Sequence, residues 1–271
     1  MRETEIPTPM SPSSMSVHSI QRTLRNFAFA ALATFGVAGV AHASEGEGME
    51  SANVRVDDIA SLQRGARLFF NYCSGCHSLQ YLRYSRIAED LKLDEKEVAG
   101  NLIFTGARIG DKATDNMPPA LASGWFGKAP PDLSLEARSK GSDWIYNYLK
   151  SFYLDPSRPV GWNNTVFPNA SMPNPLWELQ GLQVAVKGGE GHEGAGSGGE
   201  APIEKLQIHT PGRLNAEQYD QSVRDITAFL TYAGEPAALK RTSIGVWVLL
   251  YLAAFTFIAW LLKHEYWKDV H

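Results

Sequence analysis

Two stretches of this chain are apolar almost without interruption, and they stand at opposite ends. Phe27 to Ala41 is rich in Ala, Phe, Leu and Val, with Arg22 and Arg25 before it and Ala41-His42-Ala43 closing it. A basic start, a short apolar core and an A-x-A site predict a secretory signal peptide over residues 1–43, cleaved after Ala43. At fifteen residues the stretch is short for a membrane span, which takes about 20. Ser243 to Leu262 is different: twenty residues with no charge. At a rise of about 1.5 Å per residue it reaches about 30 Å as a helix, one hydrocarbon core. Lys240 and Arg241 precede it. Lys263, His264 and Lys268 follow, with Trp260 and Trp267 near that end. Basic residues and tryptophans suit the two interfaces. This pattern predicts a transmembrane helix over 243–262. With an export signal in front, the body lies outside and the tail, 263–271, stays inside.

Between these ends the apolar spacing is mostly helical. Leu62, Ala66, Phe69, Phe70 and Cys73 predict a helix from Ser61. The charged run Glu89 to Glu97 reads as a solvated helical face, and Asn116 to Pro131, rich in Gly and Pro, as loop. Ser142 is a candidate cap for a helix through Tyr153, carrying Trp144, Ile145, Tyr148, Leu149 and Phe152 on one side. Asp155 to Leu176 holds five prolines and predicts a long loop of the kind that carries function. Lys187 to Ala201 has seven glycines in fifteen residues and reads as a flexible insert, its His192 included. Asn215 and Gln218 form a capping-box pattern before the stripe Tyr219, Val223, Ile226, Leu230, which Gly234 and Pro236 end. The expected fold class is all-α: one exported domain over 44–239 with long loops, then the C-terminal span.

The net charge of −4 is modestly acidic. That balance argues against nucleic-acid binding.

The chemistry concentrates in the two cysteines. Cys73 and Cys76 are followed at once by His77. Cys-x-x-Cys-His is the attachment pattern of c-type haem. Two thiols reach one edge of the macrocycle to form thioethers, and the adjacent imidazole ligates iron from below. A thioredoxin-like pair expects a βαβ context, whereas the segment before Cys73 reads helical. Structural zinc needs four ligands, and no further cysteine exists. Covalent haem c also requires export, which the N-terminus predicts. A carrier fills both axial positions, and methionine as second ligand favours the reduced state. Met49 lies in the polar start. Met117 and Met172 both precede proline, which stiffens a ligand loop. The longer irregular loop favours Met172, leaving Met117 and His209 open.

Arg64-Gly65-Ala66, the run Phe69 to Leu79 around the haem motif, Tyr81, Arg83-Tyr84, the segment Ala129-Pro130-Pro131-Asp132-Leu133-Ser134, the Met172 loop and the anchor together resemble the cytochrome c1 family. That family is the haem subunit of ubiquinol–cytochrome c reductase. The resemblance implies a c-type cytochrome domain with Met172 as sixth ligand and with Pro130 and Pro131 in the pocket wall. It implies a basic residue shortly after Ser134 against a haem propionate. Arg138 and Lys140 both qualify, and a guanidinium's bidentate fit to a carboxylate favours Arg138. It implies an electron-transfer subunit that is no enzyme on its own; the export signal and the anchor place the expected haem domain in the periplasm, on a bacterial inner membrane. Its partners would be cytochrome b, a Rieske iron–sulfur protein and a soluble c-type cytochrome or oxidase. A haem peroxidase, or a haem subunit of another membrane oxidoreductase, are the rival readings.

Overall fold

Asp58 opens the first helix by accepting from the Ser61 amide at 3.1 Å, and α1 runs Ile59–Tyr72. The last long helix before the C-terminal apolar one, α8 (Ala216–Gly234), starts on the predicted capping box. Asn215 Oδ1 accepts from the Gln218 amide at 2.9 Å, and Gln218 Oε1 accepts from the Asn215 amide at 3.1 Å. In each case a side chain satisfies an amide that the first turn leaves without a partner. These two helices pack face to face, and their crossing is tightest at Gly65. A Cβ built there would fall inside the Asp225 carbonyl and 2.8 Å from Phe229 Cβ. Phe69 and Phe229 meet across the crossing with centroids 5.6 Å apart and planes tilted by 47°, and Phe70 meets Tyr84 at 5.4 Å. The Asp225 carboxylate is buried there but partnered. Arg64 Nε approaches it at 2.6 Å and Ser61 Oγ donates to it at 2.6 Å. A buried charge without such partners would cost several kcal/mol.

The computed structural model describes residues 48–188 and 203–269. The predicted signal peptide and most of the glycine-rich insert, His192 included, lie outside the described residues. Around the α1–α8 pair stand α2 (Tyr84–Leu91), α3 (Glu95–Asn101), α4 (Pro119–Phe126), α5 (Glu136–Lys140), α6 (Ser142–Lys150) and the single turn α7 (Trp177–Gln180). Helix accounts for about half of the described residues.

The all-α expectation needs correcting, because three two-stranded antiparallel sheets are present. Strand β1 (Leu79–Arg83) pairs with β2 (Lys112–Ala113), β3 (Phe152–Leu154) with β4 (Trp162–Asn164), and β5 (Gly181–Lys187) with β6 (Ile203–Pro211). Most are two to five residues long, too short for an alternating pattern to stand out.

Other expectations shift in detail. The charged run is not one solvated face. It breaks at Lys92, which takes a left-handed φ of 56°, and restarts on a capping box between Asp94 and Glu97. Asp90 within it is buried, paired with Arg86 and accepting from Tyr232 Oη at 3.0 Å. The Asn116 to Pro131 stretch contains α4, begun by Pro119 where the missing amide hydrogen costs nothing. Helix α6 stops at Lys150 rather than Tyr153, and Gly141 rather than Ser142 occupies its cap position.

Helix α6 is tied to α8 by one ionic cluster. Burial would raise the Asp220 carboxyl, but hydrogen bonds from Tyr146, Lys150 and Arg224 outweigh it and hold the group at about 2. Lys150 Nζ also reaches Glu50 at 2.8 Å, which pins the start of the described chain to the same place.

Three residues separate α8 from α9 (Ala238–Tyr266). Within its segment Ser243–Tyr266 an eighteen-residue stretch reaches a mean hydropathy of 2.2, and none of that stretch is buried in the protein. It is long and apolar enough to cross a membrane. The predicted span falls inside it.

Candidate haem site

Helix α1 ends at the first cysteine, and the chain then folds into a turn. The Cys76 amide donates to the Cys73 carbonyl at 3.1 Å and the His77 amide to the same oxygen at 3.0 Å. Both sulfurs and the imidazole are thereby brought to one wall of a cavity of ≈ 310 Å³. Burial pushes the Cys73 thiol up to about 12, and burial also raises Cys76. Redox-active Cys-x-x-Cys pairs lower a thiol instead, so the environment is wrong for disulfide exchange. Among the described residues no group of three or more His, Cys, Asp or Glu side chains could hold a metal ion.

The imidazole is oriented by a backbone group. His77 Nδ1 lies 2.7 Å from the Pro131 carbonyl. A carbonyl only accepts, so Nδ1 carries the proton and Nε2 is left with its lone pair. Burial lowers the His77 pKa, against an opposing pull from that carbonyl. The neutral imidazole that results is the form that ligates metal.

Pro131 is held by its neighbours. The Leu133 amide donates to Ser78 O at 2.9 Å, the Gln80 amide to Asp132 Oδ2 at 2.8 Å, and the Tyr81 amide to Ser134 Oγ at 3.1 Å. Asp132 Oδ1 accepts from the Ser134 amide at 3.0 Å and keeps the segment turned. The Pro-Pro-Asp-Leu-Ser segment is thus a clamp laced along the chain after His77, and Pro130 and Pro131 line the cavity.

Helix α6, the loop after β4, and Ile226 and Leu230 of α8 supply much of the remaining lining. Trp144, Ile145, Tyr148 and Leu149 share the inner face of α6. Trp144 and Tyr148 stack at 4.9 Å with their planes 10° apart, and Phe152 meets Tyr148 edge-on at 5.0 Å. Tyr148 Oη donates to Met172 Sδ at 3.4 Å, and burial pushes the phenol up to about 12, so it keeps its proton. Met172 lies in an irregular segment that buried asparagines hold on both sides. Asn164 donates to the Tyr148 carbonyl at 2.8 Å and accepts from the Val166 and Phe167 amides. Asn163 accepts from the Asn169 amide at 2.8 Å, and Asn174 from the Leu176 amide at 2.9 Å. Side-chain bonds replace the ladder that a loop lacks.

The structure therefore brings Cys73, Cys76, His77, Pro130, Pro131 and Met172 to one cavity. It does not bring Arg138 there. The stem of Arg138 lies against Gly234, where an added Cβ would stand 3.2 Å from its Cγ. The lysines lining the cavity are Lys140, with Nζ 5.5 Å above the Trp144 ring, and Lys128, with Nζ 5.7 Å above Phe167. Met117 does not line it, and His209 is exposed on β6. The sequence marks neither Tyr148 nor Lys128 as a site residue. Tyr148 shows only as one more apolar position on a helix face, and nothing near Lys128 marks it.

The residues fit a covalent c-type haem. Two thiols and a tautomer-fixed imidazole sit together, a thioether sulfur lines the same cavity, the walls are apolar, and two cations are available for carboxylates.

The model of the Cytochrome C1 family matches residues 51–190 and 213–270. Over 226 residues the chain is 53% identical to cytochrome c1 of Allochromatium vinosum, covering 83% of this chain and 91% of that one. It is 39% identical over 249 residues to the ammonia monooxygenase gamma subunit of Nitrosomonas europaea, covering 92% and 100%. It is 31% identical over 244 residues to cytochrome c1 of Rhodospirillum rubrum, covering 79% and 83%. The internal stretch the family model leaves out, 191–212, contains β6 and most of the glycine-rich insert.

Proposed function

The chain belongs to the cytochrome c1 family, and from that membership we propose how its own residues serve the electron-transfer subunit of a quinol–cytochrome c reductase. It carries one covalent haem c and is no enzyme by itself. When bound, that group supplies a one-electron iron couple. Cys73 and Cys76 would hold it covalently, and His77, its ring fixed by Pro131, would offer Nε2 to the iron. Met172, which lines the same cavity, would offer a thioether sulfur as the second donor. One imidazole and one thioether suit both oxidation states, so little rearranges when the charge changes. The apolar walls from α6 and α8 keep water from the site, which favours the less charged, reduced state. Lys140 balances a propionate, in preference to Arg138.

Residues 1–43 direct export and are removed. The helix over 243–262 then anchors the domain 44–239 in the periplasm of a bacterial inner membrane, with 263–271 in the cytoplasm. The protein accepts one electron at a time from a Rieske iron–sulfur protein beside cytochrome b and delivers it to a soluble c-type cytochrome or an oxidase. The single observation that carries this reading is the fixed His77 tautomer sharing a cavity with both thiols and Met172. Affinity purification of the full-length chain from detergent-solubilised membranes tests it. Cytochrome b and a Rieske protein are expected in the eluate, and a quinol is expected to reduce the haem. Co-purification with a different oxidoreductase, and no reduction by quinol, would refute it.

A further inference from the structure

We propose that Tyr148 tunes the iron through Met172, as a positioning residue whose hydroxyl donates a hydrogen bond to the ligand sulfur. The inference rests on the reading of Met172 as the axial donor. It starts from the contact already given, Tyr148 Oη to Met172 Sδ at 3.4 Å. A thioether sulfur has two lone pairs. One serves a metal, and the other remains free to accept.

Three contacts fix where the hydroxyl stands. Trp144 stacks on one face of the Tyr148 ring, Phe152 meets it edge-on, and Asn164 Nδ2 holds the backbone carbonyl of the same residue at 2.8 Å. The donor is therefore placed by the helix α6 framework and not by Met172 itself. Sulfur is a weak acceptor, so the bond does little for folding. Its effect is electronic. A donor draws density away from the sulfur and weakens its donation to iron. The ferric state depends on that donation more than the ferrous state does, so the bond favours the reduced form.

The experiment uses the full chain in its membrane complex and the Tyr148→Phe variant, which keeps the ring and both aromatic contacts. Absorption spectra report whether a thioether ligates the ferric iron, and a potentiometric titration reports the midpoint. The variant is expected to keep thioether ligation and to show about a threefold lower ratio of reduced to oxidised haem at a fixed poise. For a one-electron couple that is about 28 mV. Tyr146→Phe is the comparison. Its hydroxyl faces Asp220 and not the sulfur, and its midpoint is expected to match the parent. A Tyr148→Phe midpoint equal to the parent's, with ligation intact, overturns this proposal alone. So does a shift that Tyr146→Phe reproduces. Absence of the thioether signal in the parent protein overturns the Met172 reading, and this proposal with it.

Discussion

Replacing Met172 by leucine is expected to open the sixth coordination position while leaving the haem attached. The two side chains are close in volume, and such swaps usually cost under about 1.5 kcal/mol, so the loop pinned by Asn163, Asn164 and Asn174 should keep its path. The thioethers at Cys73 and Cys76 do not depend on it. The iron, however, loses the ligand that favours its reduced state. The midpoint should fall by at least about 59 mV, a tenfold change for a one-electron couple, and the ferrous form should bind carbon monoxide where the parent does not. Redox titration and carbon monoxide difference spectra check both. Met117→Leu should change neither, because Met117 does not line the cavity. If the two variants exchanged phenotypes, the assignment would be wrong.

Gly65→Ala is expected to damage the fold, although helix propensity predicts the reverse. In an isolated helix alanine gains roughly 0.5–1 kcal/mol over glycine. Here its Cβ would be driven into the Asp225 backbone and against Phe229 Cβ at 2.8 Å. Neither is the far end of a flexible side chain, so α1 and α8 must move apart. Separation loosens the Phe69–Phe229 contact and pulls Arg64 and Ser61 from the Asp225 carboxylate. Overpacking usually costs about 1–3 kcal/mol, and the weakened ionic contact adds to it, so a net loss of about 3 kcal/mol is expected. Thermal unfolding and the yield of holoprotein measure it. A melting temperature equal to or above the parent's would mean that the helices do not cross as described.

The parts of the molecule legible in the sequence are those whose physics is local. The thioether motif needs five consecutive residues, and Asn215 caps a helix through Gln218, three positions away. An uncharged twenty-mer has one economical explanation in length and hydropathy. The same locality explains the misses. Strand β1 exists because it finds β2 some thirty residues on, and no window along the chain reports that. The Asp94–Glu97 box was readable by the same rule that found Asn215, but the density of charge around it suggested one continuous solvated face.

At the site, donor geometry alone favours Arg138 over Lys140 as the propionate contact. What separates them is that α5 turns Arg138 toward Gly234 and leaves Lys140 over Trp144. Tyr148 escaped for a related reason. Spacing shows that it faces inward, but only the packed structure shows that it faces a sulfur.

The most direct test of covalent haem at Cys73 and Cys76 is the intact mass of the protein purified from membranes, taken under denaturing conditions for the parent and for the variant with both cysteines changed to serine. The account predicts a parent chain beginning at Ser44 that carries the mass of one haem, and a variant carrying none. A parent mass without haem, or a variant that still holds it through denaturation, would contradict it.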